Sequence, residues 1–214
     1  MFFKTLLIVF GTFIALLLSL WLFSYRPKFK ANFHKNYIAR LSLNSTEAAR
    51  LQTKAASLRE YATARNYDTT ICFLIDMTLA SGKYRFFVYD LQKDSVRFSG
   101  LVAHGSCDAG FQQDASFSNI PNSGCSSLGK YKIGGRYFGR FGQSYKLIGL
   151  DTSNDNALKR SVVLHSYEYV PEQETWPVPI CNSRGCPMVS PGFLNLLKPL
   201  IGSSKKPLLL WIFN

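Results

Sequence analysis

Acidic residues are scarce in this chain of 214 residues: 13 Asp and Glu stand against 25 Lys and Arg, and the first thirty positions hold no acid. The resulting formal charge of +12 favours anionic partners, among them nucleic acid, acidic lipid and carboxylate-rich wall polymer. Nucleic acid is disfavoured by two further absences. The basic residues are scattered rather than striped, and no recognition helix or RNA-binding aromatic motif is present. No internal repeat or low-complexity segment occurs, which excludes a repeat architecture. Metal-ligand spacing is missing as well. With no Cys-x-x-Cys or His-x-x-x-His pair, a centre built from His104, His165, Cys181 and Cys186 has no support, and no metal or cofactor is expected.

The longest stretch without charge runs from Leu6 to Phe23, LLIVFGTFIALLLSLWLF, with Lys4 before it and Arg26, Lys28 and Lys30 after it. It is apolar on every face and about long enough for one helix to cross a bilayer. It exceeds the roughly 7 to 15 residues of a signal-peptide core, and no small-x-small cleavage site follows. Residues 1–25 therefore read as an uncleaved signal anchor, with Trp21 and Tyr25 near one interface. The cations after the span favour a cytoplasmic domain by the positive-inside tendency. The five cysteines, Cys72, Cys107, Cys125, Cys181 and Cys186, are an odd count, and two disulfides plus one reactive thiol would suit an exported enzyme. Their pairing stays open at this point.

Residues 26–66 read as a basic linker, Arg26 to Leu43, followed by a packing helix. Ser45 or Thr46 is its expected N-cap and Glu47 lies in the first turn. Ala48, Leu51, Ala55, Leu58 and Tyr61 follow at helical spacing, and the helix ends near Asn66. From residue 67 to 214 the periodicity becomes that of strands. Thr70–Leu79, Tyr84–Leu91 and Ser95–Ala103 form a meander that runs directly into His104. A polar segment, Asp108 to Ser127, is long enough for a binding loop. Gly129–Tyr137 follows, with Gly134-Gly135 as its expected hairpin turn, and then strands Ser144–Leu150 and Val162–Leu164. A short helix over Gly192–Leu197 and a last strand, Pro207–Phe213, complete the chain. The expected fold is mainly β, a mostly antiparallel sandwich or partly closed barrel with few helices.

Two points on this frame carry chemistry. The apolar run Val162-Val163-Leu164 delivers His165 at a strand end, and Ser183-Arg184-Gly185-Cys186-Pro187 follows. A thiol attacks as thiolate, and a histidine that accepts its proton is the usual activator. Gly185 lets the backbone turn so that main-chain N–H groups can face an oxyanion. The plain alternative is a buried structural cysteine and a hydrogen-bonded structural histidine.

Several segments, taken in order, resemble the murein L,D-transpeptidase catalytic domain, in the branch with a Ser-x-Gly-Cys-Pro signature. They are the paired strands Phe73 to Val102 with Ala103-His104-Gly105-Ser106, and the loop residues Phe117-Ser118-Asn119, Pro121 and Ser123. Ser126-Ser127-Leu128-Gly129 with Tyr131 and a Tyr-x-Gly-x-x-Gly pattern from Tyr137 to Gly142 come next. Asn154-Asp155-Asn156 before Arg160, His165, and Ser183 to Pro187 complete the set. The resemblance implies a mostly antiparallel β fold and a cysteine acyltransferase. Such an enzyme cleaves the L,D bond after the third residue of a peptidoglycan stem peptide and passes the acyl group to an amine or to water. It implies Cys186 as nucleophile, His165 as base, the N–H groups of Gly185 and Cys186 as oxyanion donors, and Ser183 as the residue that shapes the loop. Ser118 and Asn119 become expected substrate contacts, and His104 a candidate lining of the acceptor side. Many members carry His before the Gly-Cys pair and Arg two places after the Cys, where this chain has Arg184 and Met188. Arg184 or Arg160 is then the expected partner of the stem carboxylate. The implied location is the cell envelope or periplasm, with the domain held by the N-terminal anchor.

Competing readings are a sortase-like transpeptidase and a non-catalytic wall-binding protein. The first is disfavoured by the short His-to-Cys gap and by the lack of a Thr-x-Thr-Cys strand. In the second, Cys186 is inert or paired with Cys181.

Overall fold

The structure is a computed structural model that describes residues 2–21 and 43–214. The chain divides into two compact units, Met1–Leu41 and Ser42–Asn214. In the first unit, helix α1 covers Phe2–Leu20. The expected anchor reached Phe23, outside the described residues, and among those described no helix is long and apolar enough to cross a membrane. The linker expected over Arg26 to Leu43 also lies almost wholly outside them.

In the second unit, helix α2 spans Ser45–Ala64 and buries Leu51, Ala55, Leu58 and Ala62, one face at alternating three- and four-residue spacing. Its N-cap is Asn44 rather than Ser45 or Thr46. The Asn44 backbone is extended, its side-chain oxygen accepts from the Glu47 N–H at 2.8 Å, and the Asn44 N–H donates back to the Glu47 carboxylate at 3.2 Å. This reciprocal box satisfies two donors at once, which neither expected hydroxyl achieves here.

Nine strands follow: β1 Ile71–Asp76, β2 Phe86–Asp90, β3 Ser95–Gly100, β4 Val102–Ala103, β5 Gly129–Gly139, β6 Gly142–Gly149, β7 Val163–Ser166, β8 Met188–Val189 and β9 Leu209–Phe213. They form one sheet in the order β3-β2-β1-β9-β5-β6-β7-β8-β4. Six pairings are antiparallel, and β1·β9 and β7·β8 are parallel. The sheet is therefore mixed, because β9 inserts between β1 and β5 and the segment after β7 crosses over before β8. The two edge strands, β3 and β4, are separated in sequence by Leu101 alone, so the sheet must curl until its edges approach. The result is a nearly closed barrel. Helix α3, Pro191–Ser203, starts at the Ser190 cap with Pro at its first position and is about twice the expected length. Its Phe193 ring meets Phe86 edge-on at 5.2 Å, and Phe86 in turn contacts Phe73 at 5.5 Å.

The β5–β6 hairpin corrects the expectation for Gly134-Gly135. Those glycines lie within β5, where the register shifts between Ile133 and Arg136, and act as a bulge. The chain reverses at Arg140-Phe141, between paired Gly139 and Gly142, and Gly142 has φ +72°. Neither Arg140 nor Phe141 has positive φ; the residue that follows them does, a conformation glycine adopts freely. His165 likewise lies inside β7 rather than beyond its end.

Candidate active site

Strand β7 sets the position of His165, and its parallel neighbour β8 brings Met188 into register beside it. Cys186 lies two residues before Met188. The side chains of His165 and Cys186 line one open cleft of about 800 Å³, together with Phe141, Tyr167, Asn182 and Ser183.

The loop before Cys186 is held by backbone hydrogen bonds and by its own Ser183 hydroxyl. The Ser183 N–H donates to the His104 carbonyl at 2.8 Å, and the Ser106 N–H to the Ser183 carbonyl at 2.9 Å. The Ser183 hydroxyl donates to the Cys186 carbonyl at 2.7 Å and accepts from the Gly185 N–H at 3.1 Å. The Gly185 N–H, an expected oxyanion donor, is thus engaged by the Ser183 hydroxyl. Gly185 is required for another reason. At φ +104°, a Cβ here would lie 2.5 Å from the Cys125 carbonyl oxygen, so any side chain would push the loop off its support.

The His165 ring is 2 % exposed and lies nearly parallel to Phe141, with centroids 4.2 Å apart at 20°. Its Nδ1 lies 3.0 Å from the Ser166 carbonyl. A carbonyl only accepts, so Nδ1 carries the proton and Nε2 keeps a free lone pair. Burial lowers the imidazole pKa, partly opposed by that hydrogen bond. Burial also raises the Cys186 thiol, against the lowering effects of the Val163 N–H and the Arg160 charge. Desolvation disfavours both charged forms, the thiolate and the imidazolium.

The remaining expected site residues separate into two groups. Arg184 lines the cleft with its side chain 85 % exposed, 3.2 Å from Asp108. Arg160, Ser118, Asn119 and His104 lie elsewhere. The Arg160 guanidinium donates to the Ser118 carbonyl at 2.9 Å and the Ser127 hydroxyl at 3.0 Å, and also to the Ser123 hydroxyl and the Cys125 carbonyl. With those bonds made it has no fork for a substrate carboxylate. It supports the ledge beneath Gly185 and adds positive field at Cys186. The Ser118 hydroxyl accepts from the Ile120 N–H at 3.1 Å. Asn119 clasps the turn opposite, donating to the Asp155 carboxylate at 2.6 Å and the Thr152 carbonyl at 3.1 Å. Both are loop fasteners.

His104 is fully buried. Its Nδ1 lies 2.8 Å from the Arg85 guanidinium and its Nε2 3.1 Å from the Asn182 amide nitrogen, with the backbone of Gln112 and Asp114 beside the ring. Burial first, and then Arg85, push its pKa down to about 4. In the unfolded chain a histidine protonates near 6.5. Between about 6.5 and 4 the unfolded state binds the extra proton, so this contribution is complete above that window and is lost as pH falls through it, by at most about 3 kcal/mol. Urea unfolding at pH 7.5 and 4.5 should show the loss. In His104→Gln, whose amide can still accept from Arg85, the pH dependence should be shallower by up to that amount.

Sequence reasoning missed three features of the site. Phe141 was hidden in the Tyr137–Gly142 pattern, whose flanking glycines were the available signal for a tight turn. The Asn182 amide clasps the backbone of Gln112, accepting its N–H at 2.6 Å and donating to its carbonyl at 2.9 Å, and thereby ties the long loop to the cleft wall. Cys107 and Cys125 form a disulfide at the base of that loop, while Cys72, Cys181 and Cys186 are free. Neither two disulfides nor a Cys181–Cys186 bond is present. Among the described residues no group of three or more His, Cys, Asp or Glu is placed to hold a metal.

A nearly closed mixed barrel thus brings a free cysteine and a histidine of fixed tautomer into one open cleft. The chain belongs to the L,D-transpeptidase catalytic domain family, whose model matches residues 43–213. No curated protein matches the chain. Among solved structures it is similar to the Ldtfm–avibactam carbamoyl enzyme, at 11% identity and TM-score 0.42 over 68% of this chain and 49% of that one. It is also similar to the helical cell shape determining protein Pgp2 (K307A mutant) of Campylobacter jejuni, at 13% identity and TM-score 0.42 over 75% of this chain and 55% of that one. A third is an L,D-transpeptidase of Stackebrandtia nassauensis, at 13% identity and TM-score 0.39, covering 84% and 75%. The chain spans about half the length of the first two.

Proposed function

We propose that this protein is a peptidoglycan-modifying cysteine acyltransferase acting on the L,D peptide bond of a stem tetrapeptide. The observation that carries the reading is the free lone pair on His165 Nε2 in the cleft that also holds the free thiol of Cys186. On substrate binding, Nε2 takes the thiol proton as sulfur attacks the carbonyl carbon. The new C–S bond forms, the C–N bond breaks, and the same proton leaves on the amine of D-alanine. An amine of a second stem, or water, then resolves the thioester and regenerates the thiol. With Gly185 N–H held by Ser183, the Cys186 N–H is the donor of this turn assigned to the oxyanion.

The Cys107–Cys125 disulfide supports a location in an oxidising envelope compartment. The apolar run from Leu6 supports tethering at the membrane.

The test is to incubate the full-length protein in detergent with a stem tetrapeptide. D-alanine release should accompany a mass increase of the protein equal to the tripeptidyl group, mapped to Cys186. Release with only tripeptide product indicates trimming, and a dimeric product indicates crosslinking. Retained wall binding with an unmodified Cys186 would replace the enzyme reading with the binding-protein one.

A further inference from the structure

The cleft that holds Cys186 and His165 is lined by two cations, Arg140 and Arg184, and by no acid. The surface there is built to attract an anion, and the stem peptides of the proposed function are rich in carboxylates. The arginines expected to hold such a group already have partners within the protein. Arg160 is committed to loop carbonyls and hydroxyls. Arg184 is paired with Asp108 at 3.2 Å. The position two places after Cys186 is Met188, an apolar side chain that is 5 % exposed.

Arg140 differs from all three. Among the described residues no carboxylate lies within ion-pairing distance of it. It is held in place by its neighbour. Arg140 and Phe141 form the two-residue turn between Gly139 and Gly142, and Phe141 stacks on the His165 ring at 4.2 Å. The Arg140 guanidinium carbon lies 5.8 Å from the Phe141 ring centre. The hairpin tip thus places a guanidinium on the cleft wall one ring away from the histidine of the reaction. A guanidinium offers two parallel N–H donors that match a carboxylate, and such a paired bond discriminates strongly against an amide.

The geometry points to Arg140 as the residue that binds a carboxylate of the acyl-donor stem, a specificity role carried by the β5–β6 hairpin tip instead of the loop after the nucleophile. This rests on the proposed function. The carboxylate is either the terminal one of D-alanine or the side-chain one of the third stem residue, and the same donors suit both.

The test compares three tetrapeptides on the full-length protein in detergent: the free acid, the terminal amide, and the amide at the third-residue side chain. For the amide that removes the recognised group, KM should exceed that of the free acid by about 10- to 100-fold, the range set by one charge-assisted paired bond. In Arg140→Gln that ratio should collapse to about one, and Arg140→Lys, which keeps the charge and loses the fork, should lie between. Which amide shows the effect identifies the carboxylate. A wild-type ratio near one for both amides, or a ratio that survives in Arg140→Gln, overturns the role of Arg140 while leaving the acyltransfer reading standing. Failure of the wild type to release D-alanine from any of the three overturns both.

Discussion

Cys186→Ala is expected to reduce D-alanine release from a stem tetrapeptide to background, a loss on the order of 10⁴-fold or more, because no other group in the mechanism can form the thioester. The side chain removed is small and only partly buried, so the melting temperature should shift little, by an amount corresponding to about 1 kcal/mol or less. A second free thiol, Cys181, lines the same cleft and donates weakly to the Tyr169 carbonyl at 3.7 Å. It provides the internal control. The mechanism assigns Cys181 no bond to make or break, so Cys181→Ala should retain turnover and the Cys186 adduct. Activity that survives in Cys186→Ala and disappears in Cys181→Ala would transfer the nucleophile to Cys181 and abandon the present assignment.

His165→Gln is expected to lower kcat/KM by roughly 10²- to 10⁴-fold, the usual contribution of a positioned general base. Glutamine preserves much of the volume and cannot accept the thiol proton as the imidazole does. The pH profile is the sharper readout. In the wild type, the free imidazole lone pair is lost when His165 protonates, and burial places that event below the ordinary histidine value. The acid limb of kcat/KM should therefore fall below about pH 6.5, the unperturbed value. In His165→Gln that limb should vanish. What activity remains should climb at alkaline pH, where the Cys186 thiol, raised by burial, begins to ionise unaided. An unchanged acid limb in the variant would show that another group controls it and would remove His165 from the reaction.

Much of this architecture was legible in local sequence. The first two meander strands lie within their expected spans, whereas the expected third, Ser95–Ala103, breaks at Leu101 into β3 and β4 on opposite edges of the sheet. Helix α2 was visible in its spacing, although its cap fell one residue earlier, on Asn44, since a box between Asn44 and Glu47 outcompetes a lone hydroxyl. The bulge at Gly134-Gly135 was mistaken for a turn because a glycine pair signals conformational freedom without saying how the chain uses it. Only the pairing of β5 with β6 distinguishes the two.

Residue types and short-range order determined that the chain would be largely β, that a histidine would sit at a strand, and that Cys186 would follow a glycine-dependent turn. These depend on side-chain periodicity and on the φ available to each residue, which are properties of a few consecutive positions. Only the tertiary structure decided which polar groups face the cleft. Arg160, Ser118 and Asn119 make bonds within the loops, whereas Arg140 and Phe141, which looked like a surface turn, line the cleft. The same packing shifted the acidity of the pair, since burial raises a thiol and lowers an imidazole by excluding water. Solvent exclusion depends on residues that are distant in sequence, and for that reason it could not be read along the chain.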